Sequence, residues 1–246
     1  MTTTPYLQAA RRSLDHLEKT QQGNVAAAAD LIVAALRSGG TVNCSEIGHG
    51  IQWDFINRAG GLLAVQSFSY GLTINNPIPE CRRKEQAGKP DERDLAQVRY
   101  AVNNSNLRPG DVMLLASVSG RNRQPVELAL ACRDRGVKTI GFTAMTYTQK
   151  VTSTHPSGKR LFEVVDVVVD NGAPYGDAGV EVPGYDVKLI PLSGLGMIVS
   201  GWMIWEQVMT KMAAGGTAAS VFISQNRDDG PAYNDKSKAQ YNQRGF

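Results

Sequence analysis

Short, wholly apolar runs alternate along this chain with stretches whose apolar residues recur at helical spacing. The clearest case spans residues 109–142. A Pro109-Gly110 turn leads into the run 112–116 (VMLLA), and a polar loop, SVSGRN, fills 117–122. A helix-period stretch over 125–135 closes at Gly136, and a second apolar run occupies 137–142. Strands that are apolar throughout are covered by helices on both faces, and a strand–loop–helix–strand order joins parallel neighbours through a right-handed crossover. The loop therefore stands at the carboxyl end of its strand and the amino end of its helix, where open α/β sheets take their ligands.

The remaining pattern fits the same α/β plan. Residues 6–22 put Leu7, Ala10, Leu14 and Leu17 on one helical face; Gly23-Asn24 interrupts, and an alanine-rich helix over 25–37 ends at Gly39-Gly40. A helical hairpin thus leads the domain. A strand over 41–47 runs into the loop Ser45-Glu46-Ile47-Gly48-His49-Gly50. A helix carrying Trp53, Phe55 and Ile56 and a strand over 62–68 complete a second unit, with its polar loop at the same sheet edge. Residues 70–93 have many breakers and no period, which predicts a long excursion with short helical pieces. A helix over 95–102 returns the chain to the central unit. Hydroxyl and basic groups crowd 143–161. A strand is expected over 164–169, a short edge piece over 177–182, a long helix over 192–213, and a polar helix over 232–244 after the loop 225–231. Gly196, Ser200 and Gly201 give the long helix a small-residue face for close packing. Its cleanest apolar stretch, 195–205, is too short for a bilayer core of about 30 Å, so no membrane partner is expected. Neither a repeat nor a linker divides the chain. It reads as one domain over 1–246: a hairpin (1–40), an α/β core (41–224), and a terminal loop and helix (225–246).

Composition narrows the function classes. A net charge of +3 without a basic tract does not suggest nucleic acid as a partner. Three scattered cysteines (Cys44, Cys81, Cys132), no CxxC and no apolar signal near residue 1 point to free thiols and a cytoplasmic setting. No phosphate-binding Walker loop and no G-x-S-x-G occur, and Gly194-Leu195-Gly196 lacks the third glycine of a dinucleotide fingerprint. The histidines are far apart and show no ligand spacing, so neither a metal nor a cofactor is expected. The residues 117–122 are more informative. Two hydroxyls, a glycine and an arginine at a helix start suit an oxyanion, above all a phosphate.

The pattern S-V-S-G-R-N-x-x-P-V-E resembles the sugar isomerase (SIS) domain family. The run H-P-S-G-K-R-L-F-E-V-V-D-V-V-V-D-N-G-A-P-Y-G-D-A, the pair Gly48-His49, R-A-G-G at 58–61 and the tail S-Q-N-R-D-D-G narrow the resemblance to bacterial stand-alone proteins described as phosphosugar or phosphoheptose isomerases. The resemblance implies a SIS-type three-layer α/β/α sandwich around a five-stranded parallel, flavodoxin-like sheet, with the helical hairpin at its N-terminus. It implies a homodimer or dimer of dimers and a phosphorylated or anionic sugar as ligand. It places the phosphate at Ser117, Ser119, Gly120, Arg121 and Asn122, with help from Ser45 and Thr143. One loop departs: the family's G-T-G-H-S reads S-E-I-G-H-G here, which brings in the carboxylate of Glu46.

Aldose–ketose isomerisation through an enediol needs a base beside the carbonyl and an acid to move the proton between oxygens. Glu46 and His49, three residues apart, are the candidate pair, and His155 is a third candidate. Lys159 and Arg160 are candidates for a second anionic group or an oxyanion. Asp177 and Glu127 are reserve carboxylates; as structural residues, Asp177 would cap a turn and Glu127 would face water. The same chemistry admits a lyase that eliminates a group β to the carbonyl. A non-catalytic sugar-phosphate sensor is the alternative from another class. The first 40 residues carry no clustered basic recognition helix that would make it a transcription factor.

Overall fold

The computed structural model describes residues 4–73, 75–82 and 93–246. Strands β1 (Val42–Gly48), β2 (Val65–Phe68), β3 (Val112–Ala116), β4 (Lys138–Thr143) and β5 (Val167–Asp170) form one parallel sheet in the order β2-β1-β3-β4-β5. Every residue of β3 is buried, because successive side chains serve opposite layers. Val112, Leu114 and Ala116 join the core under α2 (Gln22–Arg37) and α6 (Ser193–Ala214). Met113 and Leu115 join the core under α3 (Arg93–Asn103) and α4 (Arg123–Asp134). Val112, Met113, Leu114 and Leu115 each contribute about 1.5–3 kcal/mol by leaving water. The result is the three-layer α/β/α sandwich that the polarity pattern and the family resemblance imply.

The amino edge of the sheet is stitched by two aspartates. Asp111, buried, accepts the Thr41 and Arg108 N–H groups, each at 2.7 Å. Asp166 accepts from the Thr139 N–H (2.8 Å), the Thr139 hydroxyl (2.9 Å) and Lys138 Nζ (3.0 Å). Burial alone would raise its pKa, but the Lys138 and Thr139 hydrogen bonds outweigh that and hold it below the usual carboxylate range. The carboxyl edge is left to loops.

The small face of α6 works as its residues suggest. A side chain at Gly196 would collide with the Asn171 carbonyl, and one at Gly201 with the Phe55 ring. Phe55 lies edge-on between Trp202 and Trp205 at 5.9 and 5.7 Å. Among the described residues, no helix is long and apolar enough to cross a membrane.

Several boundaries differ from the sequence expectations, each for a tertiary reason. The hairpin breaks at Gln21, between α1 (Pro5–Thr20) and α2, and Gly23 and Asn24 lie inside the first turn of α2. Gln21 is buried and accepts the Asp170 N–H through its side chain (3.0 Å), which fixes the break there. The buried face of α1 is Ala9, Ala10, Ser13 and Leu17, while Leu7 and Leu14 are exposed. No α-helix forms around Trp53. A single 3-10 turn, Gln52–Asp54, swings Phe55 inward and leaves Trp53 exposed. The strand expected over 62–68 begins only at Val65, and the one over 164–169 is shifted behind a 3-10 turn, Leu161–Glu163. The edge piece is β6 (Ala178–Val180), paired antiparallel with β7 (Leu189–Pro191), a strand that the pattern did not predict. Within the excursion 70–93, Glu80–Arg82 is a 3-10 turn; residue 74 and residues 83–92 lie outside the described residues. The terminal helix α7 starts early, at Gly230, and ends at Arg244.

Candidate functional site

The strand order reverses between β1 and β3, so the loops after these two strands flank the crevice of the sheet. The Ser117–Asn122 loop is a tight turn: the Ser117 N–H donates to the Phe142 carbonyl and the Gly120 N–H to the Ser117 carbonyl, both at 3.0 Å. Gly120 has φ +62°, and any side chain there would collide with the Thr148 hydroxyl and crowd that of Thr143. Asn122 has the extended backbone of an N-cap, but its side chain makes no capping bond to α4. Three polar atoms around this turn are buried without a hydrogen-bond partner: Ser117 Oγ, Arg121 Nε and Thr148 Oγ1. Thr148 belongs to the short helix α5 (Met145–Thr148). Unsatisfied buried donors are costly, about 1–3 kcal/mol each, and point to a ligand that would satisfy them. Together with a helix start that has no side-chain cap, they make a seat for an oxyanion.

The segment 149–161 straps this loop in place. The Arg121 carbonyl accepts from the Thr154 N–H (3.0 Å) and hydroxyl (2.8 Å), and the Gly120 carbonyl accepts from the Leu161 N–H (2.8 Å). Arg160 is spent on the strap itself. It donates to Glu163 at 2.9 Å and to the Thr148 carbonyl at 3.1 Å, and its side-chain and backbone hydrogen bonds hold the Glu163 carboxyl below its usual range. Lys159 is exposed beside it.

Beneath the strap lies a buried hydrogen-bonded pair. His155 Nε2 and Glu127 Oε2 are 2.6 Å apart, with His155 8% and Glu127 4% exposed. His155 Nδ1 accepts the Ser157 N–H at 3.1 Å, so the ring proton sits on Nε2 and points at the carboxylate. The other Glu127 oxygen pairs with Arg99 of α3, which also reaches Asp134 at 2.9 Å. Glu127 therefore does not face water. A carboxylate is stable there because both of its oxygens have partners.

Glu46 and His49 stand at the end of β1, and both are exposed. Glu46 accepts from the Ser67 hydroxyl at 3.1 Å. The His49 N–H donates to the Ala116 carbonyl at 2.9 Å, and Gly48, at φ +94°, passes so close to that carbonyl that a side chain would strike it. The loop after β1 thus crosses the end of β3 and abuts Pro125 of α4. Ser45 is buried, its hydroxyl accepting the Ile47 N–H at 2.9 Å. Thr143, also buried, donates to the Val118 carbonyl at 3.2 Å.

The structure thus gathers Ser117, Ser119, Gly120, Arg121, Asn122 and Thr143 in one corner. Glu46, His49 and Ser45 lie on the neighbouring strand end. Asp177 is elsewhere: its carboxylate accepts the Leu192 N–H (3.1 Å), the Ser193 N–H (2.8 Å) and the Ser193 hydroxyl (2.7 Å), pinning the start of α6. Sequence reasoning missed Thr148; its only signal was the hydroxyl repetition Thr143, Thr146, Thr148. Among the described residues, no three His, Cys, Asp or Glu side chains converge as a metal ion needs. A cavity of about 1320 Å³ lies away from this loop. It lies between the β1–β2 edge and α3, with Asn43, Phe68, Tyr70 and Tyr100 in its wall, and Ser67, the partner of Glu46, also lines it.

Comparison with known proteins agrees with this architecture. The family model described as the SIS domain matches residues 5–144, a span from α1 through the Ser117–Asn122 loop to the end of β4. UPF0309 protein BH3325 of Halalkalibacterium halodurans is 34% identical over 243 residues, covering 97% of each chain. UPF0309 protein GK1441 of Geobacillus kaustophilus is 30% identical over 243 residues, covering 97% of this chain and 94% of its own. The phosphoheptose isomerase GmhA of Neisseria gonorrhoeae shares the fold, with a TM-score of 0.53 at 15% identity over 83% of this chain and 95% of its own. With the domain model matching more than half of its length and these relatives nearly all of it, this chain belongs to the SIS domain family and groups with the UPF0309 proteins.

Proposed function

We propose that the chain binds a phosphorylated sugar and interconverts its aldose and ketose forms. The observation that carries the reading is the Ser117–Asn122 corner. Its buried, unpartnered Ser117, Arg121 and Thr148 atoms sit around a glycine turn at a helix start, as a phosphate requires. A solved structure that shares this fold is named a phosphoheptose isomerase. Ser119, Gly120, Asn122 and Thr143 complete the seat, and Ser45 shapes the neighbouring strand end.

In this reading Glu46 removes the proton beside the carbonyl and His49 passes a proton between the two oxygens, giving an enediol intermediate. His155 positions the strap through Glu127, and Lys159, exposed on the strap, is available to meet a second anionic group. A second reading, a sensor without turnover, is favoured by one observation: Glu46 and His49 are both exposed.

Sugar phosphates that raise the melting temperature are to be incubated with the protein in heavy water and followed by NMR. Exchange at the carbon beside the carbonyl with conversion to the isomer supports the isomerase, and loss of a β substituent marks a lyase. Tight binding without exchange favours the sensor. Arg121→Ala is expected to weaken binding about tenfold or more, as loss of a charge-assisted contact does. Glu46→Gln is expected to abolish turnover and leave the dissociation constant in place. Normal turnover in that variant removes Glu46 from the mechanism.

A further inference from the structure

A further pocket, of about 290 Å³, opens at the carboxyl edge of the sheet beyond β5 and shares no lining residue with the Ser117–Asn122 loop. Its walls come from α1, α5, the turn after β5, and the β6–β7 ribbon. Arg12, Ser13 and His16 project from one side of α1, and Lys188 faces them from the ribbon. Ser13 is 4% exposed, yet its hydroxyl has no hydrogen-bond partner. Gly172, at φ +71°, forms the floor. A side chain there would press on the His16 ring at 2.9 Å and approach Ser13 Oγ at 3.6 Å, so the space depends on glycine.

The charge balance favours an anion. No carboxylate lines the pocket. Of the carboxylates that adjoin it, Asp170 is already satisfied by His16 Nε2 and by the Met145 and Gly172 N–H groups, all at 3.0 Å, and Asp177 by the Leu192 and Ser193 groups at the start of α6. Lys188 makes a loose surface pair with Glu181 at 3.4 Å, the Glu181 side chain being 84% exposed, and so remains available at little cost. Thr146 gives its hydroxyl proton to the Ala173 carbonyl and adds no donor. Arg12, Lys188 and the unpartnered Ser13 hydroxyl are the donors that remain, and the volume suits one oxyanion with a small substituent.

We infer that this pocket is a second binding site, for a small molecule bearing a phosphate group, and that its ligand fastens α1 to the β6–β7 ribbon. The site goes beyond the function proposed for the Ser117–Asn122 corner and stands whether or not that corner binds a sugar.

The chain has three histidines, so each ring is a separately resolvable reporter. The test titrates inorganic phosphate into the full chain carrying Arg121→Ala, at constant pH. A matched titration with chloride controls for ionic strength, and the His16 ring signal is followed by NMR. A saturable shift specific to phosphate is expected. Adding Arg12→Gln should raise its apparent dissociation constant about tenfold. Ser13→Ala removes a hydroxyl that has no partner in the free protein, so it serves as a second variant that keeps the fold and should also weaken the response. A drift of the His16 signal that does not saturate, or that chloride reproduces, overturns the inference, as does a saturable shift unchanged in both variants. Failure of the proposed sugar-phosphate corner would show instead at His49 in the unmodified chain, with the His16 response intact.

Discussion

Ser117 and Glu127 show opposite sides of what a residue's neighbours decide. A serine after a buried strand reads from sequence as a turn former or an anion donor. What the sequence does not contain is that its hydroxyl is buried with no partner, because burial there is set by the tertiary packing. Two outcomes follow for Ser117→Ala. The free protein should lose no stability in chemical denaturation, since no hydrogen bond is broken. Affinity for the phosphorylated ligand should fall about tenfold. A matching loss of stability would mean that the hydroxyl is bonded in the free protein. Glu127 fits the pattern of a solvated helix carboxylate. Its real surroundings come from Arg99 and His155, each 28 residues away in opposite directions, and no local period could reveal that pairing.

At the level of elements, the strands that are apolar on both faces and the long helices were legible, because their periods are strong. The short elements were not. The three residues of β7 have no period of their own, and the 3-10 turn at Gln52–Asp54 exists only because Phe55 has a socket in α6. That socket supplies a test. Gly201→Ala would drive a methyl group into the Phe55 ring, an overpacking that costs about 1–3 kcal/mol. The denaturation midpoint should fall accordingly, and Phe55→Leu should recover part of the loss by making room. An unchanged midpoint for Gly201→Ala would mean that the β1–β2 connection does not dock on α6 as described.

The molecule as a whole offers a clean count of its buried thiols. Cys44 and Cys132 are buried, and burial pushes each thiol up to about 12, whereas Cys81 is exposed. A thiol reagent at pH 8 should therefore label one cysteine quickly and all three only after unfolding. Fast labelling of two or more in the native protein would contradict the packing of β1 or α4. A homodimer is expected, and light scattering at micromolar concentration checks it. Leu7 and Leu14, exposed on one side of α1, are apolar positions that Leu14→Lys would disturb if they lie between subunits. The overall plan was readable because the order of strands and helices fixes the layers. The placement of the strap was not, because hydrogen bonds from Thr154 and Leu161 reach back 33 and 41 positions. That strap has a kinetic consequence. The carbonyls of Gly120 and Arg121 are already tied down, so the corner has no ordering left to do when its ligand arrives. Substitutions in Ser117 or Ser119 should therefore leave the association rate almost untouched and shorten the lifetime of the complex, while Thr154→Val should slow arrival itself by letting the corner wander.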